Sequence, residues 1–136
     1  MSETDAFFDT NVLLYLLSGD ASRVDRAEAL VAAGGMISVE VLNEFASVAS
    51  RKLGMSWPEI REVLETIRSV CPVEPLGLET HDLGLALAEH YGFSIYERKI
   101  LAAAQLAGCR VVFTEDLQHG QVINEGLEII NPFSTG

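Results

Sequence analysis

The chain has 136 residues, nearly half of them apolar, with nine Lys or Arg against twenty Asp or Glu and a net charge of −11. That length fits one domain, residues 1–136, large enough for a real core. The charge has the wrong sign for a protein that grips nucleic acid with a broad basic surface, and no apolar run is long enough for a membrane span.

Residues 5–8 predict a short buried strand, and Asp9-Thr10-Asn11 supplies cap-type side chains for a helix through about Ser18, ended by Gly19. A second helix runs from about Ser22 to Ala33, closed by Gly34-Gly35, and Met36-Ile37-Ser38 is strand-like. Ser38 caps a third helix to about Leu53, with Gly54 as its stop. Ser56-Trp57-Pro58-Glu59 has the form of a capping box opening a helix to about Ser69, and the prolines of Val70 to Pro75 make that stretch extended. Thr80 starts another helix, ending near Tyr91-Gly92, and Ser94 caps an alanine-rich helix through Ala107. Arg110 to Phe113 reads as a strand entering Thr114-Glu115-Asp116, and Gly126 to Pro132 as the last strand.

Short apolar strands alternating with helices predict a three-layer α/β/α sandwich around a small, mainly parallel sheet, with its site beyond the carboxyl ends of the strands. Asp9 and Asp116 both fall at such ends. The N-terminus, Met1-Ser2-Glu3-Thr4-Asp5, is acidic where a secretory signal is basic and then apolar, so the expected location is cytoplasmic, away from membranes. Cys71 and Cys109 match no metal-knuckle spacing and read as small core residues.

Asp9 sits between Ala6-Phe7-Phe8 and Val12-Leu13-Leu14-Tyr15-Leu16-Leu17, and no Lys or Arg precedes Arg23. An acid held between apolar blocks is costly to desolvate unless something pairs with it, and a bound cation is the obvious remaining partner. The competing role is a helix cap, which Thr10 or Asn11 could also fill. Asp116, beside Glu115, is either a second site acid or part of a surface turn. On a helical wheel Glu44 lies at the edge of the arc of Val41, Leu42, Phe45, Val48 and Ala49, able to reach inward or to stay solvated. Glu40, one turn earlier, repels it unless a cation or a distinct environment separates them. Glu97 falls between Ile100 and Leu101 on the apolar face of its helix, yet Ser94-Ile95-Tyr96-Glu97 also has capping-box form, so both placements stand. His119, in a loop, is a proton donor or simply solvated.

These acids in this order resemble the PIN-domain ribonucleases, particularly the VapC-type toxins of toxin–antitoxin pairs. Phe8-Asp9-Thr10-Asn11-Val12-Leu13 is similar to the family's first motif, Ser38 through Val41-Leu42-Asn43-Glu44 to its second, and Ile95-Tyr96-Glu97 with Ile100-Leu101-Ala102-Ala103-Ala104 to its third. Thr114-Glu115-Asp116-Leu117-Gln118-His119-Gly120 is similar to the fourth. The resemblance implies that Asp9, Glu44, Glu97 and Asp116 hold Mg²⁺ or Mn²⁺ for metal-dependent hydrolysis of RNA. Thr10, Asn11 and Thr114 would orient those ligands or a phosphate, and Glu115 would be an auxiliary acid. It also implies a homodimer, and a cognate antitoxin whose basic tail enters the acidic cleft. RNA contacts are expected from Arg51, Lys52, Arg98 and Lys99.

One departure stands out: where the family usually has Asp followed by small or apolar residues, this chain has Glu97-Arg98-Lys99. The wheel points both cations away from Glu97, so retained ligation with altered geometry is expected. Two other readings compete. One is a catalytically attenuated PIN domain serving as a binding or dimerisation module. The other is a phosphatase of the haloacid dehalogenase class, which resembles Asp-x-Asp where this chain has Asn11.

Overall fold

The computed structural model describes residues 5–92, 95–124 and 126–133, the side chains of 95 and 96 excepted. In chain order the elements are β1 (Ala6–Phe8), α1 (Thr10–Leu14) with a 3₁₀ turn over Tyr15–Leu17, α2 (Ala21–Ala33), β2 (Ile37–Ser38), α3 (Val39–Arg51) and α4 (Trp57–Val70). They continue with β3 (Val73–Glu74), α5 (Leu78–Tyr91), α6 (Ile95–Leu106), β4 (Val111–Phe113), β5 (Val122–Ile123) and β6 (Leu127–Ile130).

The sheet order is β1-β4-β6-β5, with β2 and β3 forming a second parallel pair. A bridge between Phe7 and Met36 ties the two together: the Phe8 amide donates to the Met36 carbonyl and the Met36 amide to the Ala6 carbonyl, both at 2.9 Å. Every pairing is parallel except β5 with β6. The result is the expected α/β/α sandwich around a mainly parallel sheet. Its central positions are buried, with Phe7, Phe8, Ile37, Val112 and Ile129 fully inaccessible, which is why these short strands read as apolar runs.

Local signals place most boundaries. Ser38 caps α3, its hydroxyl accepting the Val41 amide at 3.3 Å. The Ser56–Glu59 capping box is complete in both directions. Gly34 (φ +102°) ends α2 in a backbone conformation that favours glycine, and Gly35 lies so close under Phe8 that a Cβ would overlap the ring. The expected Ser94 cap and its box with Glu97 lie outside the described residues.

Three expectations are corrected. The first helix tightens into a 3₁₀ turn after Leu14. Helix α5 starts at Leu78, not Thr80, because Thr80 is buried on its inner face rather than capping it. Strand β5 went unread: it has only two residues and borrows its order from antiparallel pairing with β6. Cys71 and Cys109 are buried core residues, burial pushing both thiols up to about 11. Among the described residues no helix is long and apolar enough to cross a membrane.

Candidate metal centre

Parallel pairing brings the carboxyl ends of β1 and β4 side by side. The Asp9 amide donates to the Phe113 carbonyl at 3.0 Å, so the residues leaving both strands emerge together. Asp9 caps α1, accepting the Thr10 amide at 2.6 Å. Its other oxygen accepts the buried Thr114 hydroxyl at 2.7 Å. The cap and the buried acid weighed as alternatives are thus one side chain.

Asp9 is only 8% exposed. Burial pushes its carboxyl up to about 6, the Thr114 and Thr10 hydrogen bonds oppose this, and the charges of Asp116 and Glu44 raise it further. Its hydrogen-bond donors among the described residues, Thr10, Thr114 and Asn11, are all neutral, so the metal-free site holds an acid whose charge is poorly compensated.

The other acids reach the same place from three elements. Glu40 and Glu44 come from the first turns of α3, Glu97 from the first turn of α6, and Asp116 from the loop after β4. With Asp9, Ile100 and Leu117 they line a cavity of about 60 Å³. That volume suits a small hydrated ion and is far below the several hundred Å³ an organic cofactor fills. Glu44 and Asp116 are exposed at the mouth, and Glu97 is half-buried beside Ile100. Among the described residues no three acidic, histidine or cysteine side chains are drawn close enough to ligate an ion as they stand. The donor set is nevertheless all carboxylate oxygen around one buried charge, which fits a hard divalent cation.

Asn11 joins the two strand ends. Its Nδ2 donates to Asp116 Oδ2 at 3.0 Å and lies 3.4 Å from both Asp9 Oδ2 and Thr114 Oγ1. Its Oδ1 accepts the Glu115 amide at 3.4 Å. Thr10 is buried, its hydroxyl without a hydrogen-bond partner among the described residues. Glu115 does not line the cavity: its carboxylate accepts the Tyr15 hydroxyl at 2.7 Å and pairs with Arg23 at 3.5 Å. His119 is exposed, as the solvated reading expects, and its Nδ1 accepts the Asn131 amide at 2.9 Å.

Lys99 corrects the wheel. The wheel points Lys99 almost opposite Glu97, yet its ammonium lies 4.0 Å from Oε1 of Glu40, a residue that lines the cavity. Glu40 is thus a fifth carboxylate of the cavity. The i, i+4 spacing of Glu40 and Glu44 was the available signal for Glu40, whereas nothing in the sequence pairs residues 40 and 99. The Arg98 stem packs over Gly84 of α5.

No curated protein sequence matches the chain. Among solved structures it is similar to a toxin–antitoxin complex from Klebsiella pneumoniae, at 21% identity and TM-score 0.72, covering 94% of this chain and 98% of that one. It is also similar to VapC20 of Mycobacterium tuberculosis, described as a Sarcin-Ricin loop cleaving toxin, at 22% identity and TM-score 0.65, over 82% and 91% of the two chains. A third is VapBC2 from Rickettsia felis bound to a promoter DNA fragment, at 17% identity and TM-score 0.66, over 93% and 98%. At these identities the structures establish a shared fold. The sequence itself matches the PIN domain family model over residues 6–123, so the chain belongs to the PIN domain family.

Proposed function

We propose that this protein is a metal-dependent endoribonuclease, hydrolysing RNA phosphodiester bonds as the toxin of a toxin–antitoxin pair. The observation that carries the reading is the cavity of converging acids around Asp9, a buried carboxyl whose hydrogen-bond partners among the described residues are all neutral. Asp9, Glu44, Glu97 and Asp116 are the residues that would hold Mg²⁺ or Mn²⁺. When bound, such an ion supplies electrostatic stabilisation to a phosphate and lowers the pKa of water.

The chain's own part is to bind, orient and exclude. Thr114 and the Thr10 amide fix the Asp9 carboxylate, and Asn11 sets Asp116 against it. Ile100 and Leu117 supply an apolar wall. Low polarisability there strengthens every charge interaction inside. Among the described residues none that lines the cavity is a Ser, Cys or Lys, which suits attack by water.

An antitoxin with a basic tail is the partner that this acidic cavity and the net charge of −11 would attract. The solved toxin–antitoxin complexes of the same fold support that choice. Large exposed apolar side chains, Trp57 and Leu78 above all, supply surface for such a partner and for a homodimer. The site of action would be the cytoplasm, where RNA is available.

The test is cleavage of a structured RNA by purified protein with Mn²⁺, with EDTA and with Asp9→Asn as controls. Cleavage that needs both the metal and Asp9 is expected. Identical products from the unmutated and Asp9→Asn proteins would sink the nuclease reading. A small reading frame for a basic-tailed protein beside this gene is the corresponding expectation for the toxin assignment.

A further inference from the structure

We propose that Lys99 is the residue that receives the substrate phosphate at the mouth of the cavity, held there until substrate arrives by Glu40. The inference rests on the nuclease reading and names a contact of that same site. A phosphodiester entering a cavity with five lining carboxylates meets repulsion first, so a cation at the entrance is of most use where substrate passes. Lys99 stands beside it, lining the neighbouring pocket with Thr80, His81 and Gly84. Its ammonium lies 4.0 Å from Glu40 Oε1, and Glu40 lines the cavity. The Lys99 side chain is 38% exposed and Glu40 23%, so the pair sits at the rim, open to exchange. A pair this exposed and this long is weak. A phosphate oxygen therefore displaces the Glu40 carboxylate from Lys99 at little cost, and Glu40 is left to face the metal site.

The other cations proposed for RNA lack this geometry. Arg51 and Lys52 are exposed at the far end of α3, about 16 Å along its axis from Glu40. Arg98 lies over Gly84 of α5. Arg23 is engaged by Asp20 and Glu115.

The test is binding of a fluorescent single-stranded oligoribonucleotide in Mn²⁺ across a salt series, with Asp116→Asn as a common background so that no cleavage is needed. Adding Lys99→Gln should weaken binding about fivefold at low salt and reduce the slope of log affinity against log salt by about 0.7, one phosphate contact on a single strand. Lys99→Arg should restore both, Glu40→Gln should tighten binding, and Arg51→Gln should leave the slope unchanged. A slope unaltered by Lys99→Gln overturns the proposal, as does a background protein that binds no RNA. Absence of cleavage by the unmutated protein overturns the nuclease reading instead, and the binding series still decides Lys99.

Discussion

Asn11 donates its side-chain amide to Asp116 across 105 positions of sequence, at 3.0 Å, and so locks the exit of β1 to the exit of β4. The same Nδ2 faces Asp9 and Thr114, and the Oδ1 accepts the Glu115 amide. One side chain thereby sets the spacing of two acids that repel each other.

Asn11→Asp keeps the shape and removes the donors, placing a third carboxylate between Asp9 and Asp116. The metal-free protein should lose about 1 to 2 kcal/mol at pH 7, with discount for the solvent at this half-open site. Most of that loss should vanish on adding Mn²⁺, because a cation offsets the added charge. Urea unfolding with and without Mn²⁺ measures both; a loss independent of metal would mean that Asn11 serves only the backbone.

Asp9 makes metal-free stability depend on pH. Its carboxyl is raised to about 6 in the fold against 3.8 outside it, so the native state holds the proton more tightly. The resulting stabilisation is complete below about 3.8 and is lost as pH rises through about 6, a swing on the order of 3 kcal/mol. In EDTA, the stability difference between the unmutated protein and Asp9→Asn should therefore shift by that order between pH 3.5 and 7, with Asn the more favourable at neutral pH. Mn²⁺ at pH 7 should stabilise the unmutated protein and not the variant. A pH-independent difference would show that Asp9 titrates alike in the folded and unfolded chain.

Glu97 decides between a working nuclease and an attenuated module. Its longer side chain enters the cavity from the first turn of α6, and a shift of about an ångström can cost roughly a hundredfold in rate. Glu97→Gln should abolish Mn²⁺-dependent cleavage, and Glu97→Asp, which withdraws the carboxylate by one methylene, should lower it about ten- to a hundredfold. A rise from no activity with Glu97→Asp would establish the attenuated module.

What the sequence made legible was local. An acid between two apolar blocks marked Asp9, serine caps marked the starts of α3 and α4, and the helical wheel put Glu97 among Ile100 and Leu101, where the cavity lies. What it hid depends on chain reversal and side-chain reach. Strand β5 exists only against β6, and Asn11 finds Asp116 only after β1 pairs with β4. A wheel gives the direction of a Cβ, so it missed a lysine whose stem bends back to Glu40. Glu115 and Asp116, adjacent after β4, go to different partners in the fold, Tyr15 with Arg23 for the one and Asn11 for the other.

Glu115 is the acid whose placement departs most from an auxiliary role in the cavity. Its oxygens meet the Tyr15 hydroxyl and Arg23, whose guanidinium lies 4.7 Å from the Tyr15 ring and 5.5 Å from that of Phe133. This cluster ties the 3₁₀ turn, α2 and the chain after β6 to the loop that carries Asp116. Glu115→Gln can still accept from Tyr15 and gives up only a partly exposed ion pair, so stability should fall by less than about 1 kcal/mol and cleavage by less than about threefold. Tyr15→Phe deletes the short hydrogen bond and should cost about 1 kcal/mol with kcat equally little changed. Asp116→Asn, one residue away, should instead remove nearly all activity with little loss of stability, since it is exposed. Thermal unfolding and kcat measured on the three variants separate the roles: a large kcat loss in Glu115→Gln at unaltered stability would return Glu115 to the chemistry.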